Sequence, residues 1–109
     1  MINDVNLYID QGVTFGCRLI VHYPDDTPVD LTGAIIRVQF RKTMTSPTVY
    51  SFTVVPESLI DGTILLTMSK TDTANLKDGR YIFDGDYEIG GNCYAFVKGT
   101  VTVYPRVTR

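Results

Sequence analysis

Apolar and polar side chains alternate one by one along most of this chain. That is the mark of half-buried β-strands, whose successive side chains point to opposite faces. From Thr14 to Tyr23, Phe15, Cys17, Leu19, Val21 and Tyr23 share one face, and Thr14, Gly16, Arg18 and His22 share the other. Ile36, Val38 and Phe40 alternate with Arg37, Gln39 and Arg41, and Tyr50, Phe52 and Val54 with Ser51 and Thr53. Ile64, Leu66 and Met68 do the same against Thr63, Thr67 and Ser69. Tyr81, Phe83 and Tyr87 face one way while Asp84, Asp86 and Glu88 face the other. The last run sets Ala95, Val97, Val101 and Val103 against Lys98, Thr100 and Thr102, with Gly99 interrupting. Val5 to Ile9 adds a seventh candidate strand.

Turn chemistry separates these runs. "PDDTPVDLTG" (24–33) and "TMTSP" (43–47) cannot be strand interior, and "DG" at Asp61-Gly62 and "GGN" at 90–92 are hairpin signals. Short strands at this spacing predict an all-β fold: an antiparallel β-sandwich with immunoglobulin-like Greek-key connections and about seven strands. No linker, repeat or low-complexity stretch divides the chain, so residues 1–109 read as one sandwich domain. One segment departs from the strand period. "SKTDTANLKDG" (69–79) has room for a turn or two of helix, with Thr71 or Asp72 as cap and Gly79 as a left-handed stop. It predicts a short helical crossover between the sheets.

The residues that follow fit that crossing. Leu76-x-x-Gly79-x-Tyr81 has the form of a tyrosine corner, in which the hydroxyl bonds back to backbone a few residues upstream. Leu76, Gly79 and Tyr81 are therefore structural. The same strand geometry turns Asp84, Asp86 and Glu88 to solvent, where Arg37, Arg41 and Lys42, with Arg18 opposite, can pair with them.

Composition narrows the chemistry. The 109 residues are 44% hydrophobic and 20% charged, with a formal charge of −2. Such a balance builds one core and gives no basic field for DNA or RNA. The apolar runs are far short of a membrane span, and the N-terminal segment lacks the basic and apolar regions of a signal peptide. Synthesis in a cytoplasm is the default, and Cys17 and Cys93 are expected as thiols.

Catalytic constellations are missing from the sequence. His22 stands alone on a polar strand face, and no CxxC, HExxH, GxSxG or phosphate-loop motif occurs. Cys17 has apolar same-face neighbours and reads as a core residue, while Cys93 has no basic neighbour in sequence to activate it. The three acids lack the further ligands of a calcium loop. No enzyme activity, cofactor, metal or small-molecule ligand is expected. Seven tyrosines and five phenylalanines exceed what alternating core positions need, and Tyr8, Tyr94 and Tyr104 fall near strand ends. Tyrosine there fits a protein interface. The terminal strands are expected to be sheet edges open to a partner, with Pro105 ending the ladder and Arg106 and Arg109 projecting beyond it. Tyr8, Tyr104, Arg106 and Arg109 are the candidate partner contacts.

Three stretches, "DLTGAIIRVQFRKTMTSPTVYSFTV" (30–54), "LKDGRYIFDGDY" (76–87) and "GTVTVYPRVTR" (99–109), together with "YIDQG" (8–12), resemble small β-sandwich virion proteins of tailed bacteriophages. The Gly90-Gly91 pair departs from that pattern. The resemblance implies a non-enzymatic structural or adaptor protein of the tail or baseplate. Its partners would be other virion proteins, with self-association open. A capsid or neck decoration protein and a carbohydrate- or receptor-binding module are the alternatives. Receptor binding would require a groove lined by aromatic side chains with converging polar groups.

Overall fold

Two β-sheets face each other across one apolar core in the computed structural model, which describes residues 3–107. The elements are β1 (Asn3–Asp10), β2 (Phe15–Ile20), β3 (Ile35–Arg41), β4 (Tyr50–Ser51), β5 (Thr53–Ser58), β6 (Thr63–Met68), α1 (Lys70–Ala74), β7 (Gly79–Ile89) and β8 (Asn92–Tyr104). The larger sheet has the order β1-β8-β7-β3-β4 and the smaller β2-β6-β5. The chain changes sheets from β1 to β2, from β2 to β3, from β4 to β5 and from β6 to β7, which is the expected Greek-key sandwich with one short helical crossover.

The alternating positions become the core. Leu7, Ile9, Val38, Phe40, Phe83, Val101 and Val103 from the large sheet meet Ile64, Leu66 and Met68 from the small one, all buried. Phe40 packs its ring against Phe52 and, edge-on, against Tyr81, at 5.0 and 5.4 Å between centroids.

Four details differ from the sequence reading. The run expected as one strand over Val49 to Val55 is divided at Phe52, whose N–H donates to the Val38 carbonyl (3.0 Å) before the chain moves to the other sheet. The antiparallel rule has one exception, since β1 pairs with β8 in parallel, Asn3 to Asp10 beside Val97 to Tyr104. The C-terminal strand is therefore no edge: it lies between β1 and β7. Third, the β7–β8 register shifts after Gly85, so Phe96 is an extra residue between Ala95 and Val97. That bulge reverses the parity of the strand's first part, exposing Ala95 and burying Phe96. Gly85 makes the room: a Cβ there would lie 3.1 Å from the Phe96 ring and 2.8 Å from Val97. Fourth, Arg18 projects from the small sheet, not opposite Arg37, and is bridged there by Glu57.

Gly99 shows why β1 can dock where it does. With φ +155 and a Cβ position that would collide with the Val5 carbonyl, it is a place where two backbones approach too closely for a side chain.

Candidate functional site

The tyrosine at the start of β7 closes one end of the sandwich. Tyr81 is buried, and its hydroxyl donates to the Lys77 carbonyl at 2.6 Å, the bond of a tyrosine corner. Leu76 is buried in the core, and Gly79 takes φ +133 to turn the chain into the strand. Lys42 lies over the Tyr81 ring, its Nζ 4.6 Å from the centroid. The cap of α1 is Ser69, whose hydroxyl accepts from the Asp72 N–H (3.2 Å), rather than Thr71 or Asp72. The helix stops at Asn75 in ordinary right-handed geometry, so Gly79 serves the strand and not the helix. Buried Thr73 donates to the Val13 carbonyl (2.9 Å) and Gln11 to the Leu76 carbonyl (2.7 Å), which tie the crossover to the β1–β2 turn. These residues hold the fold and offer nothing to a ligand.

The acids of β7 lie on the outer face of the large sheet. Arg37, the cross-strand partner of Asp86, donates to it at 3.1 Å and lies 3.8 Å from Glu88. The guanidinium thus answers two of the three carboxylates, and its own pKa is raised first by the Asp86 hydrogen bond. Asp84 stands between Gln39 and Lys98 in register. Among the described residues, no group of three or more His, Cys, Asp or Glu side chains is gathered for a metal ion. An open groove of about 500 Å³ crosses this face past Asp4, Arg41, Met44, Asp84 and Lys98. Its charges are mixed and none is concentrated.

The terminal edge is different. Tyr8 on β1 and Tyr104 on β8 stack with centroids 6.2 Å apart and planes at 18°, yet they remain 59% and 47% exposed. Gln11 donates to the Tyr104 carbonyl and the Val5 carbonyl faces Gly99, so odd-numbered residues of β1 turn their backbone groups toward β8. By alternation, Asp4, Asn6 and Tyr8 turn theirs to the open side. The far edge of the same sheet is blunted to the two residues of β4, and β5 is interrupted by Pro56 and a register shift. Of the other two edges, β2 has six residues and β1, the longest, has eight. Arg106 is half-buried rather than projecting, and Arg109 lies outside the described residues.

At the opposite end, the residues after β2 meet the β7–β8 hairpin around a cavity of about 420 Å³. Tyr87 and Phe96 are its nearly buried floor, at 6.1 Å between centroids, and Tyr94 continues the strip 5.4 Å from Tyr87 at a 33° tilt. Tyr23 and Tyr94 are about half exposed at the mouth. Burial pushes the Tyr87 phenol up, and the neighbouring Tyr23 and Tyr94 phenols push it further. Asp30 lies at the rim, held below the usual carboxylate range by hydrogen bonds from Thr32, from the side chain first and then from the backbone amide. His22, also at the rim, donates from Nδ1 to the Tyr23 carbonyl (3.0 Å) and lies 3.7 Å from Asp26. Sequence reasoning noted Tyr94 near a strand end but missed the cavity, whose walls come from segments about seventy positions apart.

Both cysteines are free thiols. Burial pushes the Cys17 thiol up, as fits a packing residue. Cys93 is exposed, and the fold supplies the basic neighbour that the sequence lacked: Arg37 Nη2 lies 3.9 Å from its Sγ.

No family model matches the chain, and no curated protein is significantly similar to it. Among solved structures it is similar to InlP of Listeria monocytogenes, with 17% identity and a TM-score of 0.49 over 92% of this chain and 26% of that one. The chain thus spans about a quarter of the length of that protein.

Proposed function

We propose that this chain is a non-enzymatic structural or adaptor protein that works through protein–protein contacts. On the resemblance of its sequence, the assembly is the virion of a tailed bacteriophage, at the tail or baseplate, built from proteins made in the host cytoplasm. The observation that carries this reading is the terminal edge: a long strand with open backbone groups, flanked by a stacked and exposed tyrosine pair. Strand addition supplies affinity through main-chain hydrogen bonds, and tyrosines beside it supply area with polar tips. A decoration protein of the capsid or neck would use the same edge on a different neighbour.

The test is particle entry. In a host producing the particles, a Tyr8→Ser, Tyr104→Ser double variant is expected to be depleted from purified virions. A variant carrying Asp84→Ser, Asp86→Ser and Glu88→Ser is expected to enter normally. Wild-type protein absent from the virions, or the reverse pattern in the two variants, overturns the reading.

A further inference from the structure

We propose that the cavity between the β7–β8 hairpin and the segment after β2 is a binding site for neutral pyranose sugars. This rests on the cavity alone and is independent of the assembly reading. Its volume of about 420 Å³ lies at the small end of ligand pockets, roughly 300–1,000 Å³, the size for one or two sugar rings.

The lining selects the ligand. Tyr87, Tyr94 and Phe96 form a strip of rings tilted 33° and 46° to one another, not the perpendicular walls that would box in a quaternary ammonium group. Tyr87 and Phe96 are its nearly buried base, and the half-exposed rings of Tyr94 and Tyr23 are the surfaces that would receive the C–H face of a pyranose. Around it stand polar residues: Tyr23 and Tyr94, about half exposed, and Asp30, whose carboxylate accepts from Thr32 and has lone pairs to spare. A pyranose has the matching rim, hydroxyls that donate to a carboxylate and exchange bonds with phenols. No lysine or arginine is among the lining residues, and Asp30 is held ionised, so acidic sugars are disfavoured. The half-exposed rings of Tyr23 and Tyr94 leave the mouth open to a chain end or a branch of a glycan.

The test uses the purified full chain, labelled with nitrogen-15, and free glucose, galactose and N-acetylglucosamine, each titrated in millimolar excess. Amide shifts are expected to cluster around Tyr23, Asp30 and Tyr94 for at least one sugar. Tyr94→Ala and, from the other wall, Tyr23→Ala are each expected to weaken that sugar about tenfold. Asp30→Asn is expected to weaken it by a similar factor, and Tyr8→Ala to leave it unchanged. Because Tyr23 and Tyr94 are surface residues on separate segments, one variant remains informative if the other misfolds. No shift with any of the three sugars overturns the proposal. So do shifts that persist in the folded Tyr94→Ala or Tyr23→Ala protein, or a proline-rich peptide that fills the site where sugars do not. Particle entry does not enter this experiment, so its outcome is separable from that of the assembly reading.

Discussion

Tyrosine does opposite things at the two ends of this sandwich. At the end near α1, Tyr8 and Tyr104 stack on a flat outer face. At the hairpin end, Tyr23, Tyr87 and Tyr94 line a hollow. The side chains are the same, and the backbone beneath them differs. Two parallel strands in regular register carry the first pair, so their rings rise from one surface and can cover only what comes to lie on it. A bulge carries the second group: the extra residue Phe96 drops into the gap left by Gly85 and becomes a floor, with Tyr87 and Tyr94 beside it. Flat aromatic surface suits a protein neighbour, and concave aromatic surface suits a small ligand.

The comparison breaks most sharply at Phe96. Replacing it with alanine is expected to destabilise the protein by about 3–4 kcal/mol, through lost burial and the cavity left over Gly85. Urea denaturation measures this, and a midpoint near wild type would mean that Phe96 is not a packed floor. Nitrogen-15 spectra sharpen the point: resonance changes are expected around the hairpin and Tyr23, with those of the Tyr8 region retained.

Next in size is Tyr81→Phe at the other end, expected to cost about 1–2 kcal/mol because the Lys77 carbonyl loses its donor. An unmoved denaturation midpoint would show that the hydroxyl is not what closes this end.

These two residues also show what the sequence can and cannot carry. The Tyr81 corner is legible because its parts lie within six positions, Leu76 to Tyr81, and local spacing encodes the bond. Phe96 is illegible because period-two alternation assigns Ala95 and Val97 inward, and the inserted residue is visible only against its partner strand. The break at Phe52 is hidden for the contrary reason. Tyr50, Phe52 and Val54 all turn toward the core, so the alternation continues while the strand changes sheets. Strand existence is likewise readable at Leu7 and Ile9, but the partner is not, because alternation fixes which face is buried and not the direction of the neighbour. Tyr8 and Tyr104 stand out in the sequence by their place near strand ends. That they stack depends on the parallel register of β1 on β8. The cavity at the hairpin end draws on two distant segments, and no local pattern marks it.

The flat end is expected to tolerate loss of its rings. The Tyr8→Ser, Tyr104→Ser protein should lose only about 0.5 kcal/mol, the low end for an aromatic pair, since both rings are about half exposed. If thermal or urea unfolding instead shows a loss as large as that of Phe96→Ala, the pair is part of the core and the edge is not free for a neighbour.

The smallest effect separates buried from surface phenols by pH. Burial pushes the Tyr81 and Tyr87 phenols above their usual value, with neighbouring phenols adding to it, Tyr50 for the first and Tyr23 and Tyr94 for the second. The native protein therefore holds these protons at pH values where the unfolded chain releases them. Unfolding then releases protons, and stability must fall as pH rises. The contribution is fully present below the unfolded value, about 10, and is lost as pH climbs through the raised native values. Urea midpoints followed from about pH 8 to about pH 11 are expected to be level at first and then to decline. Tyr87→Phe should start from a similar midpoint and decline less steeply, because its proton no longer takes part. Tyr81→Phe should start lower, for want of the Lys77 bond, and also decline less steeply. An unchanged alkaline slope in Tyr87→Phe would mean that its phenol is open to water in the native protein, and that the hollow at the hairpin end has no buried floor.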